Sequence, residues 1–211
     1  HRTPDPLWSR GLGDVYKRQE ITIIKKDNIE VISDGGIRPN TSQEILNNLK
    51  LVFDENGTIT AGTASPLTDG ASATLVCEEE YAKANKLPII ARIKSTAIQG
   101  CPPELMGLGP INASKKALKR ANLEIKDIDI VELNEAFASQ SIACIKELKI
   151  NPEIVNIEGG AISLGHPLGA TGTRITAKAA SLMIKHNKKY ALATQCIGLG
   201  QGIATVLERV E

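Results

Sequence analysis

Three short stretches of this 211-residue chain carry residue types that could do chemistry. The first, "GGAISLGHPLGATGTRI" (residues 159–175), sets His166 between Gly165 and Pro167 and holds five glycines, more backbone freedom than a packed core needs. The second, "ALATQCIGLGQGIATV", puts Cys196 directly before Ile-Gly-Leu-Gly, which leaves room beside the thiol and exposes backbone N–H donors near Gly198 and Gly200. The third, "VELNEAFASQ", places Asn134-Glu135 where a strand gives way to a helix. Each has an ordinary reading too. An asparagine there serves as a helix N-cap and the glutamate as an early-turn acid, a lone histidine is more often structural, and a buried cysteine is usually an inert small hydrophobe. Together the three supply an amide that can position a water, an imidazole and a thiol able to shuttle a proton, a set suited to acyl transfer. A phosphate-binding role for "GLGQG" fails on context, because a β-like run follows it instead of a helix.

These groups need a scaffold that brings strand ends and loops to one place. "EITIIKK" and "IEVIS" read as strands, and "TSQEILNNLKLVF" reads as a helix opened by a capping Thr or Ser. "DENG" marks a turn, Ala73–Cys77 a β-like run, and Glu78–Asn85 a short helix. "PIIARIKSTAI" predicts a buried strand, "NASKKALKRANL" an amphipathic helix, and "DIDIVELN" an alternating strand. "EAFASQSIACIKEL" predicts a helix with Phe137, Ile142, Ile145 and Leu148 on one face. "RITAKAASLMIKH" is helical, and "YALATQCIG" and "GIATVLERV" form a closing hairpin. Such alternation implies a mixed sheet covered by helices.

Composition narrows the function. A formal net charge of +1 gives no basic field for nucleic acid, and 3% aromatic residues leave little for base stacking. No apolar run approaches the ~20 residues of a membrane-spanning helix, and the start lacks the order of a signal peptide, which predicts a cytoplasmic protein. Cys77, Cys101, Cys144 and Cys196 lack CxxC spacing, so neither a metal site nor a disulfide framework is expected. Residues 1–19, "HRTPDPLWSRGLGDVYKRQ", show no periodicity and look like translated adapter sequence, which would make them a processing scar with the natural protein continuing upstream of Glu20; the alternative is a natural disordered arm.

The motifs "NEAFASQ", "GGAISLGHPLGATGTR" and "CIGLGQGIATV" strongly resemble the three C-terminal signatures of the thiolase family. "TAGTASPLTDGASA", "MGLGP" and "ALATQCIGLGQGIATVLERV" extend the resemblance from Glu20 onward and are most similar to the bacterial fatty-acid β-oxidation branch, which cleaves 3-ketoacyl-CoA, with the acetoacetyl-CoA-forming biosynthetic branch as the alternative. The resemblance implies a layered α/β/α fold with the C-terminal half complete and the N-terminal half largely missing. Residues 20–55 would be the end of the family's loop region, 56–88 the last segment of its N-terminal half, and 89–211 its C-terminal domain.

By the same resemblance, His166 and a water held by Asn134 stabilise the thioester oxyanion of an enolate, and His166 also lowers the pKa of the nucleophile. Cys196 protonates that enolate and later deprotonates incoming CoA, and the Gly198 N–H supports a tetrahedral intermediate. Ser65 and Met106 would lie along the CoA or acyl path, with Ala136 and Phe137 at its inner end. No segment matches the family's nucleophile motif; Cys77 and Cys101 sit in contexts that belong to other family segments. The chain alone is therefore expected to lack thiolysis. Coenzyme A enters as substrate, and no cofactor or metal is expected. The family also implies a homodimer or dimer of dimers, and the branch a complex with a hydratase/dehydrogenase subunit. Two rivals remain. One is a non-catalytic half-thiolase that only binds acyl-CoA, which has no need of a proton-shuttling thiol. The other is a sterol-carrier-like relative, which would be expected to have lost the intact "LNEAF" motif.

Overall fold

The computed structural model describes residues 24–27, 29–31 and 38–210. The stretch 1–19 lies outside them. A small antiparallel ribbon, β1 (Ile24–Lys26) with β2 (Ile29–Val31), comes first. Helix α1 (Gln43–Asn47) starts where the sequence predicts, with the Ser42 hydroxyl accepting from the Ile45 N–H at 3.2 Å. After α2 (Glu79–Ala84) the chain builds one four-stranded sheet in the order β3-β6-β5-β4, from β3 (Arg92–Gly100), β4 (Ile130–Leu133), β5 (Tyr190–Ile197) and β6 (Gln201–Glu208). β4 runs parallel to β5; the other pairs are antiparallel.

Two apolar layers sandwich this sheet. On one face α3 (Gly109–Ala121) and α4 (Ala138–Leu148) bury Ala113, Ala117, Leu118, Cys144 and Leu148 against Val131, Leu133, Leu192, Ala204 and Val206. On the other face α6 (Leu168–Lys185) packs Ile175, Ala179, Leu182 and Met183 onto Ile130, Ala191, Ala193 and Leu207. A one-turn helix, α5 (Ala161–Leu164), precedes α6. Strand alternation follows directly: Leu192 and Thr194 belong to the α3 face, Ala191 and Ala193 to the α6 face. α3 meets β6 at a glycine pair, since a Cβ on Gly202 would overlap the Gly109 backbone. The arrangement is the helix-covered mixed sheet that the alternation predicts and the α/β/α layering that the resemblance implies.

Six elements differ from the sequence expectation. The helix expected through Phe53 stops at Asn47: Leu51 bridges Thr60 instead, and Phe53 is exposed in the left-handed region. Ala73–Cys77 forms no strand: Leu75 and Val76 are exposed, and no described residue pairs with the run, so its β propensity has no ladder to join. β3 is an edge strand in which only Ala97 is buried; α3 covers one face, while Ile93 and Ile98 stay exposed. Its open carbonyls at Ile98 and Thr96 accept from Lys116 and Arg120 of α3, a charged cover suited to a free edge. β4 does not alternate, because helices pack on both its faces and bury all four residues, Glu132 included. In α4, Phe137 is the N-cap and Ile142 is exposed, so Gln140, Ser141, Cys144 and Leu148 form the buried face. α6 begins at Leu168, not Arg174, which draws Gly169 and Gly172 into its first turns; Pro167 at the N-cap and the small Ala170 and Thr171 suit a helix start packed close to the sheet.

Candidate functional site

Four segments end together at the C-terminal tips of β4 and β5. β4 delivers Asn134, whose N–H donates to Thr194 O at 3.0 Å and so continues the parallel ladder. β5 delivers Cys196, opposite Gly202 across the hairpin, and then turns through Gly198, Leu199 and Gly200. Gly200 has φ +92°, and a Cβ there would overlap the Cys101 carbonyl, so this position requires glycine. Gly198 differs, because nothing lies within 4 Å of where its Cβ would be and its backbone is unstrained. The start of α6 approaches β5 where Gly172 faces the Gln195 side chain.

The fourth segment is the strap 63–72. Ser65 N–H donates to Ala136 O at 3.0 Å, and Ala138 N–H donates to Thr63 O at 2.8 Å. Thr68 Oγ1 accepts from the His166 N–H at 3.1 Å, and Ser72 Oγ donates to Ala170 O at 2.7 Å. Ser65, Ala136 and Phe137 therefore share one small backbone ladder beside the His166 loop. Met106 sits elsewhere on the rim, in the 3-10 turn Pro103–Leu108 that packs against β5, β6 and α4.

His166 is held by its ring. Nδ1 lies 2.7 Å from Thr171 Oγ1, and that hydroxyl spends its single proton on Pro167 O at 2.9 Å. The hydroxyl must therefore accept from Nδ1–H, which leaves Nε2 of the neutral ring with a free lone pair. Burial, and then the positive charge of Arg174, hold the imidazole below its usual range, so it is neutral at neutral pH and able to take a proton. Cys196 is 6% exposed; burial and the nearby Cys101 push its thiol up, and it stays protonated. His166 thus presents a neutral base in the loop before α6, and Cys196 a protonated thiol near the end of β5.

Asn134 is 1% exposed, and neither Oδ1 nor Nδ2 has a hydrogen-bond partner among the described residues. A buried side-chain amide is normally satisfied, so this one is a place where a water or ligand oxygen would be held. The exposed Gly198 amide lies on the turn that Cys196 enters.

Sequence reading did not single out Thr68, Thr171 or Asn156. Thr171 sits five residues from His166, one helical turn on, and that spacing was legible once α6 is known to start at Leu168. Thr68 is 98 residues away and carried no local signal. Beneath the site lies a charged cluster. Burial pushes the Glu132 carboxyl up to about 8 against the opposing pull of Arg174 and Lys178. Burial would raise Glu158 too, but hydrogen bonds from Lys178, at 2.6 Å, and Lys185 hold it down at about 2.

Comparison with known proteins places the chain by sequence and by fold. The sequence profile described as thiolase, C-terminal domain, matches residues 87–209, and the thiolase N-terminal domain profile matches residues 16–80. A 3-ketoacyl-CoA thiolase of Shewanella loihica is 57% identical over 185 residues, covering 86% of this chain and 48% of the relative. One from Vibrio parahaemolyticus is 58% identical over 180 residues, covering 83% and 46%. The chain thus spans about half the length of the curated relatives it matches. Among solved structures, human mitochondrial 3-ketoacyl-CoA thiolase superposes with a TM-score of 0.85 at 40% identity, covering 94% of this chain and 51% of that one. Bacillus anthracis acetyl-CoA acetyltransferase gives 0.89 at 36% identity, covering 95% and 52%.

Proposed function

The chain belongs to the thiolase family, and from that premise we propose that it contributes the C-terminal half of a site that cleaves 3-ketoacyl-CoA with CoA, giving acetyl-CoA and an acyl-CoA two carbons shorter. The observation that carries this reading is Asn134, a fully buried amide with both polar atoms unpartnered among the described residues, at the strand end next to the one that bears Cys196.

The reaction needs a nucleophilic cysteine from outside these residues. None of the four present suits that role: Cys144 is buried and pushed up to about 11, Cys196 is held protonated, Cys77 lies on the exposed unpaired run, and Cys101 sits at the edge of the hairpin turn. That outside cysteine gives its thiol proton to His166 Nε2 and attacks the 3-keto carbon. The C2–C3 bond breaks, and its electron pair passes to the acetyl-CoA enolate. The enolate oxygen is stabilised by the imidazolium N–H and by the water on Asn134. Cys196 protonates the enolate carbon, and its thiolate then takes the proton of incoming CoA. That CoA thiolate attacks the acyl-enzyme thioester while the Gly198 N–H holds the tetrahedral oxyanion; the shortened acyl-CoA leaves, and the expelled enzyme thiolate takes its proton back from His166 Nε2. Coenzyme A is the second substrate, beside the 3-ketoacyl-CoA. Ser65, Met106, Ala136 and Phe137 would line its path. The same reading takes the assembled enzyme as a cytoplasmic homodimer or dimer of dimers, joined in β-oxidation by a hydratase/dehydrogenase subunit.

The test is a graft in which residues 20–211 replace the matching stretch of the Shewanella loihica relative. Thiolysis of a 3-ketoacyl-CoA is the expected result, abolished by His166→Ala. A folded graft that binds CoA without turnover would point to the binding-only reading.

A further inference from the structure

Asn134 and His166 sit 32 positions apart in the sequence, and one polar assembly joins them. Asn156, 4% exposed and in the left-handed region at φ +45°, lies beside β4 through a parallel bridge of Val155 to Val131. Its side chain then acts as one more rung of the sheet. Oδ1 accepts from Leu133 N–H at 2.9 Å, and Nδ2 donates to Leu133 O at 2.8 Å, which fixes the last residue before Asn134. The same Nδ2 donates to Glu135 Oε1 at 2.9 Å. The other carboxylate oxygen, Oε2, accepts from Ile162 N–H at 3.2 Å, in the one-turn helix that leads through Gly165 to His166. Gly160 makes this approach possible, because a Cβ there would overlap the Glu135 carboxyl.

We propose that Glu135 and Asn156 form a positioning clamp that sets the distance and orientation between the Asn134 amide and the His166 ring. Neither residue touches substrate in this assignment. The clamp rests on the thiolase reading for its consequence, though not for its geometry. A carboxylate is required because both groups facing it are donors, Asn156 Nδ2 and the Ile162 N–H. A glutamine of the same size would turn an NH2 toward one of them and push the two segments apart.

Two variants of the graft test it, Glu135→Gln and Gly160→Ala, the second moving the carboxylate by steric pressure with its charge intact. Both are expected to lower kcat about 10- to 100-fold, because small misplacement of reacting groups carries that cost, with KM for CoA within about twofold of the parent. A purely structural role would instead lower the melting temperature and leave kcat per folded enzyme unchanged, and that result overturns the clamp. Independently of turnover, NMR of the chain itself reads the Ile162 amide and the His166 ring. Glu135→Gln is expected to speed exchange of the Ile162 amide and shift the His166 ring signals, and unchanged signals at both would contradict the clamp. An inactive parent graft sinks the proposed function, whereas an active parent with unaffected variants sinks only the clamp.

Discussion

Residues 101–210 and residues 38–88 differ in where their apolar side chains go. In the first region Leu133, Leu182, Met183 and Leu192 are at most 1% exposed, between a sheet and helices on both faces. In the second only Thr60 and Ala82 are buried, while Leu67, Leu75 and Val76 stand in the open. The strap of the second region is held by hydrogen bonds at the site, through Thr63, Ser65, Thr68 and Ser72. Burial makes the scaffold, and directional bonds aim the strap at it. Leu67, Leu75 and Val76, like Ile93 and Ile98 on the open face of β3, are apolar side chains that would favour cover.

The largest contrast is in the core. Leu192→Ala is expected to cost about 2–5 kcal/mol by leaving a cavity between layers, whereas Leu75→Ala should change stability by less than about 0.5 kcal/mol, read by denaturant melts. Equal effects would mean that the Ala73–Cys77 run packs into a core of its own.

Next comes the pH dependence of the buried layer. With its folded pKa raised from 4.5 to about 8, Glu132 favours folding while protonated, and that contribution is present at low pH and lost as pH rises through the window between those values. Glu132→Gln removes the loss, so the variant should gain on the parent between pH 5 and 8, by an amount on the order of a few kcal/mol. Glu158 has the opposite sign: its depressed carboxyl stabilises above the ordinary value and loses that effect as pH falls toward 2. A Glu132→Gln melting curve that parallels the parent at every pH would remove this account of the layer.

Ser72→Ala breaks one strap bond and should cost about 1 kcal/mol, while speeding proteolytic cutting within residues 66–78. Unchanged cutting there would show that the strap is held by something other than these bonds.

Gly198→Ala is the smallest perturbation of the fold, within about 0.5 kcal/mol, since its Cβ meets nothing. In the graft it should nevertheless lower thiolysis about 100-fold by crowding the oxyanion position. Gly200→Ala, strained at φ +92°, should do the reverse and damage the fold first.

These contrasts also explain what the sequence made legible. The hairpin, α3, the Ser42 cap and the helix-covered mixed sheet rest on local periodicity and turn chemistry, whereas the α/β/α layering came from the family resemblance. The strand expected at Ala73–Cys77 depended on a partner that no periodicity reveals. β4 misled because two covering helices erase alternation. At the site, Asn134, His166 and Cys196 were visible as residue types in unusual backbone settings. Their supports were not, since Thr68 meets His166 across 98 positions and Asn156 meets Leu133 across 23.

The most direct test of the proton-transfer role is Cys196→Ala in the graft, measured by steady-state thiolysis alongside a thermal melt. The account predicts a kcat at least about 100-fold lower with the melt nearly unmoved, because a small buried thiol is replaced by a smaller side chain that cannot carry a proton. Parent-level turnover by that variant would contradict it.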